Sequence, residues 1–207
     1  MREILKQLVL ADQQALAQLL RLYKAVDKET ERFAHLTGIR CPQLCGVCCR
    51  STKVEATVFE MLPLAIALWS TRKGLSWLKE FEKNNKKKRC LFFRPDPRHK
   101  RNGRCGVYPH RPLICRLFGF SVNKDKQNAY AYGGCKTMKT VYPKSFTRAQ
   151  EIIKKNRKFV TMSDFTRHAA GIGIGHEQKA YPINTAARLA LEKIGFELEK
   201  YQWKCKI

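Results

Sequence analysis

The chain has 207 residues, with 41 Lys and Arg against 17 Asp and Glu, a formal charge of +24, a pI near 10.0, and nine cysteines. That length buries a sizeable core without covalent staples, so the cysteines call for a reason other than the disulfide framework of short secreted domains. The charge exceeds what solubility requires and points to a polyanion as partner, whether RNA, DNA or an acidic protein surface. No membrane partner is expected, because the longest apolar stretch, 61–69, is too short to span a bilayer.

The opening MREILKQLVL mixes charge and Gln among its apolar residues and runs straight into an amphipathic pattern. No secretory leader is expected, and a reducing cytoplasm is. Residues 2–36 read as one long helix, with Leu16, Leu19, Leu20, Tyr23 and Val26 on one face and Gly38 as its stop. Its mixed charges, Asp12, Arg21, Lys24 and Asp27, favour a core-facing stripe over a membrane surface.

In the middle zone the cysteines sit on Pro- and Gly-rich loops, with helical stretches near 57–70 and 74–85. Thr57 and Glu60 have capping-box spacing, which puts Pro63 inside the first of these helices, where it must kink the helix or move its start. Short runs at 53–55 and 129–132 can pair as strands. The last zone alternates helical pieces around a break at Gly171, Gly173 and Gly175, and Asn184 is placed to cap a final helix through Ala186, Leu189, Ala190 and Ile194.

The expected fold is mainly α: a single irregular, Cys-rich, metal-stapled domain with helical N- and C-terminal extensions and little β. The expected divisions are an amphipathic helix over 1–38, a cysteine-cluster metal-binding domain over 39–142, and a helical region over 143–207 that packs on it.

Cys41, Cys45, Cys48 and Cys49 fall within nine residues, Cys90, Cys105, Cys115 and Cys135 follow, and Cys205 stands alone. Thiolates at two- and three-residue gaps, with Gly46 between them, can converge on a metal. Eight would fill two tetrahedral four-thiolate sites, or one polynuclear iron–sulfur cluster with ligands left over. Vicinal Cys48 and Cys49 are expected to point in different directions, which favours two centres or one extended cluster. Arg50, Arg104, Arg111 and Arg116 lie within a few residues of a cysteine and are candidates to offset thiolate charge. His99, His110, His168 and His176 could ligate, but the cysteines already suffice. The 41, 45, 48 spacing is formally that of radical S-adenosylmethionine enzymes. Cys49, the four downstream cysteines and the lack of a repeating strand–helix pattern weigh against that reading.

Three segments, Cys90-Leu-Phe-Phe, then Gly103-Arg-Cys-Gly-Val-Tyr108, then Arg111-Pro-Leu-Ile-Cys115-Arg116, resemble the signature of the CxxCxxCC or YkgJ-like family, described as chelating zinc or iron. Cys135 after Gly133-Gly134 matches its last element, and the likeness runs from Cys41 to Cys135. The chain departs from the pattern in one place, with three residues rather than two between Cys41 and Cys45. The resemblance implies a metal-chelating domain holding an iron–sulfur cluster or zinc. It implies no settled reaction, although a flagellin lysine methylase carries a domain of this type.

Between Lys83 and Arg104 there are ten basic residues and one acid, Asp96, a segment suited to nucleic acid or another polyanion. Phe92, Phe93, Tyr108 and His110 could stack on bases, or the aromatics could be core beside the metal and the lysine run a solvated linker. The leading reading is a metal-binding protein with a structural or redox centre. The alternatives are a zinc-stabilised nucleic-acid-binding module and an enzyme, of methyl-transfer or oxidoreductase type, that uses the centre.

Overall fold

The apolar stripe at the amino-terminal end folds as helix α1, Leu10–Thr37, burying Leu16, Leu19, Leu22, Tyr23, Val26 and Phe33 at the three- and four-residue steps of one helix face. Leu22 takes the place expected of Leu20, which stays exposed. Gly38 ends the helix at φ +75°, donating its N–H to Ala34 O at 2.9 Å, a left-handed turn that glycine makes without a Cβ penalty. The computed structural model describes residues 8, 10–98, 102–155, 159–172 and 178–204. The expected helix start at 2–7, His99, Gly173, Gly175, His176 and Cys205 lie outside the described residues.

Helices follow at α2 (Val47–Arg50), α3 (Val58–Ser70), α4 (Gly74–Lys83), α5 (Leu113–Leu117), α6 (Lys136–Val141), α7 (Pro143–Lys155), α8 (Met162–Ile172) and α9 (Ile183–Lys204). A 3₁₀ turn covers Tyr108–His110. Thr57 and Glu60 close both halves of their capping box, and α3 starts at Val58 and runs on through Pro63. The β content is three antiparallel ribbons of three-residue strands: β1 (Glu55–Thr57) with β6 (Ala180–Pro182), β2 (Phe93–Pro95) with β3 (Gly103–Cys105), and β4 (Val122–Lys124) with β5 (Tyr130–Tyr132). The protein is therefore mainly α with little β. Among the described residues, no helix is long and apolar enough to cross a membrane.

The β1–β6 ribbon pairs Ala56 with Tyr181 and brings α9 against α3, where Ala186, Ala187, Ala190, Leu191 and Ile194 join Leu62, Ala65 and Ile66 in one buried cluster with α1. Burying each large aliphatic side chain in this way contributes about 1.5–3 kcal/mol. A second cluster gathers Phe33 and Ile39 with Val122, Met138, Phe146, Ala149, Ile153 and Phe159. Helix α1 contributes to both clusters, and the cysteine loops lie between the elements they organise.

Asn184 does not cap the last helix as expected. Helix α9 already begins at Ile183, and the Asn184 amide turns outward to a distant loop: Nδ2 donates to Lys87 O (3.0 Å) and Arg89 O (2.8 Å), while Oδ1 accepts from Leu91 N (2.9 Å). The loop leading into Cys90 has no helix or strand of its own to satisfy these backbone groups, and the side chain supplies what secondary structure does not.

Candidate metal centre

The first cysteine block is shaped by close backbone approaches. Cys45 N donates to Pro42 O (3.1 Å), Leu44 takes a left-handed φ of 54°, and Leu44 O accepts from Gly103 N (2.8 Å), tying this turn to β3. The Phe93 ring is wedged between the two segments. A Cβ on Gly46 would stand 2.0 Å from Phe93 Cε2, and one on Gly103 would stand 2.6 Å from the same ring and 2.3 Å from Arg94 O. Only glycine fits at either place. Cys48 and Cys49 lie on the single turn of α2, and Cys49 O accepts from Cys90 N (3.1 Å). Cys105 faces Phe93 across the β2–β3 ribbon, Cys115 sits within α5, and Cys135 caps α6 by accepting at Sγ from Met138 N (3.4 Å).

All of Cys41, Cys45, Cys48, Cys49, Cys90, Cys105, Cys115 and Cys135 line one cavity of about 250 Å³. All eight are free thiols. Among the described residues, no three Cys, His, Asp or Glu side chains stand close enough together to hold one ion, so the thiols surround a space rather than a point. Among the described residues the lining contains no carboxylate and no lysine. Its polar side chains, apart from the thiols, are those of Arg104, Tyr108, His110 and Arg111. A sulfur set of this kind suits zinc or iron–sulfur chemistry and is wrong for magnesium or calcium.

The thiols are electrostatically linked. Neighbouring Cys105 and Cys48 push the Cys49 thiol far up, and Cys49 in turn pulls both of theirs down, with nearby Arg111 lowering them further. Burial raises Cys90 to about 11 and Cys41 to about 12, the latter helped by neighbouring Cys45, Cys48 and Cys135, and it also lifts Cys115. Vicinal Cys48 and Cys49 nevertheless border one space. On a helical turn successive side chains are separated by roughly 100°, not by the alternation of a strand, and both face the same cavity.

The four arginines divide by role. Arg111 faces the thiols while its Nε donates to Tyr108 O (3.1 Å), its Nη1 donates to Cys115 O (3.1 Å), and its guanidinium lies 3.5 Å over the Tyr108 ring. Arg104 is exposed at the cavity edge, and Arg50 is exposed away from the lining. Arg116 does a different job. Only 7% exposed, it pairs with Asp27 of α1 (2.5 Å) and donates to Arg111 O (2.8 Å) and Pro109 O (2.6 Å), with Tyr23 against its face at 4.4 Å. It clamps the cysteine loop to α1.

Glu60 has a second role that its capping box does not announce. Its Oε2 accepts from Thr57 N (3.0 Å) and Thr57 Oγ1 (3.1 Å), while Oε1 reaches Leu113 N (3.1 Å), the first residue of the helix bearing Cys115. Among the described histidines, His110 lines the cavity, and burial and the Arg116 cation lower its pKa. Phe92 and Phe93 are not available to stack on bases. They are 1% and 7% exposed, and Phe92 packs on Trp77 (4.4 Å) and Phe81 (5.7 Å).

Among known families, the match is to CxxCxxCC, "Putative zinc- or iron-chelating domain", over residues 40–157. No curated protein and no solved structure matches the chain. The matched segment spans more than half of the 207 residues and takes in all eight cavity cysteines, so the chain belongs to the CxxCxxCC family of zinc- or iron-chelating domains.

Proposed function

We propose that this chain holds a resident thiolate-ligated metal centre, iron–sulfur or zinc, on Cys41, Cys45, Cys48, Cys49, Cys90, Cys105, Cys115 and Cys135. The observation that carries the reading is the one cavity that these eight residues line, free of carboxylate among the described residues. A lone tetrahedral zinc uses four sulfurs at about 2.3 Å; eight donors around about 250 Å³ suit paired ions or a polynuclear cluster. Zinc would supply folding energy without redox change, and an iron–sulfur centre would add electron transfer. The chain's own part is to surrender the Cys49 proton, to offset sulfur charge through Arg111, and to hold Cys90 and Cys115 through Asn184 and Glu60.

The test is anaerobic purification followed by a visible spectrum and measurement of iron, sulfide and zinc, on the native protein and on a Cys48→Ser, Cys49→Ser double variant. Brown absorption with matching iron and sulfide marks the cluster, and colourless protein with stoichiometric zinc marks the structural site. Protein that carries neither, and takes up neither on reconstitution, overturns the reading.

A zinc-stabilised nucleic-acid module remains the second reading for the segment between Lys83 and Arg104. The observation in its favour is that Asn184 fixes the backbone of Lys87 and Arg89, so these charges are presented at set positions. With Phe92 and Phe93 buried, Tyr108 and His110 are the stacking candidates left, and that reading rests mainly on phosphate contacts and predicts binding that weakens steeply with salt.

A further inference from the structure

The mouth of the thiol cavity is apolar where a solvated metal site would be polar. Leu44, Val47, Tyr108 and Phe118 border it and remain 43%, 40%, 58% and 38% exposed. Among the described residues they are four of the ten large apolar side chains left exposed, and they gather at one place rather than scatter. Contiguous exposed apolar surface rimmed by polar groups marks an interaction site. Leu44 adds an independent sign. It is a bulky residue held at φ 54°, where Asn or Gly would sit without strain, and it presents its side chain to solvent at the cavity edge.

Among the described residues, the charged side chains of the lining, Arg104 and Arg111, have one sign. Arg104, which lines the cavity, faces Arg94 across the β2–β3 ribbon, both exposed; Arg94 lies 5.3 Å over the Trp77 ring, and among the described residues neither pairs with a carboxylate. Like charges directly opposite on paired strands are destabilising. An anionic partner lying across them would relieve that repulsion. Among the described residues the lining carries arginine, tyrosine and phenylalanine and no Lys, Asp or Glu, although the chain has 41 basic residues. That composition is the mark of a protein–protein interface centre. A polynucleotide track would draw on lysine as well, and the lysines at 86–88, which follow α4, lie outside the lining.

We propose that the cavity mouth is a docking face for a protein partner whose contact surface has an apolar centre fringed by carboxylates. This deepens the metal-centre reading by naming the partner of that site, while the contact itself depends only on the rim.

The test uses the full chain as purified, with three labelled probes: poly-L-glutamate, a random copolymer of Glu and Tyr, and oligo-dT. Binding is read by fluorescence anisotropy, with metal content measured on every sample. The copolymer is expected to bind more tightly than polyglutamate. Leu44→Asn combined with Tyr108→Ser should weaken the copolymer roughly tenfold, the scale of losing an interface anchor, and leave polyglutamate nearly unchanged. Arg94→Glu with Arg104→Glu should weaken both. The proposal is overturned if the two acidic polymers bind equally, or if the rim variants leave copolymer binding unaltered. It is also overturned if oligo-dT binds most tightly and weakens with the same substitutions. Rim-dependent copolymer binding by protein that holds no metal supports the docking face and counts against the metal reading alone.

Discussion

Glu60→Ala is the most informative single change, because one carboxylate holds two elements together. It removes the acceptor for Thr57 N (3.0 Å), which closes the start of α3, and for Leu113 N (3.1 Å), which opens the helix carrying Cys115. Losing a cap costs about 1 kcal/mol, and stranding a donor in a partly buried site costs about 1–3 kcal/mol. Together the loss is about 2–4 kcal/mol, and for a chain of this length each kcal/mol lowers Tm by about 2–4 °C. The expected fall is therefore roughly 4–16 °C, measured by circular dichroism on metal-loaded protein. Glu60→Gln keeps one carbonyl acceptor and should fall between that variant and the native protein. The control is Thr57→Ala, which strips the Thr57 hydroxyl from the box but leaves Glu60 free to hold Leu113 N. At matched destabilisation, Glu60→Ala should release metal to a competing chelator faster than Thr57→Ala does. Equal release rates, or a Tm within about a degree of the native protein, would refute the coupling of α3 to the cysteine helix.

Arg111→Ala and Arg116→Ala should separate cleanly. The first should lower metal retention with little loss of fold, because its guanidinium faces Cys48 and Cys105. The second should destabilise the whole chain in urea unfolding, toward the lower end of the 3–5 kcal/mol scale for breaking a buried pair, since Asp27 is 43% exposed. Asn184→Ala strands Leu91 N and two carbonyls, so hydrogen exchange should rise through 87–91 while α1 stays protected. Metal uptake should release protons from Cys41, Cys49, Cys90 and Cys115, whose thiols are all raised, so affinity should climb with pH, as an indicator dye in weak buffer can follow. For the metal-free chain the sign runs the other way. Raised thiols add stability that is complete below the ordinary value of 9.0 and is lost as pH rises toward about 11 for Cys90 and about 12 for Cys41. Unfolding midpoints from pH 8 to 11 on metal-free and loaded protein check both signs.

The sequence by itself determined what depends on near neighbours. The 3.6-residue stripe of Leu16, Leu19, Tyr23 and Val26, the Gly38 stop, and the Thr57–Glu60 box are all settled within a few residues of chain, and each is in the structure. The cysteine spacing pointed in the same way to sulfur chemistry and to the family. Only the tertiary structure decided the second partners. Asp27 meets Arg116 across 89 residues, Glu60 reaches Leu113 N across 53, and Asn184 holds Leu91 across 93. Nothing local marks these bonds, because each partner is a group left over once the helices have packed, and which group is left over depends on where the packing sets the loops. That Cys48 and Cys49 border one cavity, and that Phe92 and Phe93 are core rather than stacking surface, were left open for the same reason. A single helical turn and an aromatic wedge are chosen by the space between loops, which the order of residues alone does not specify.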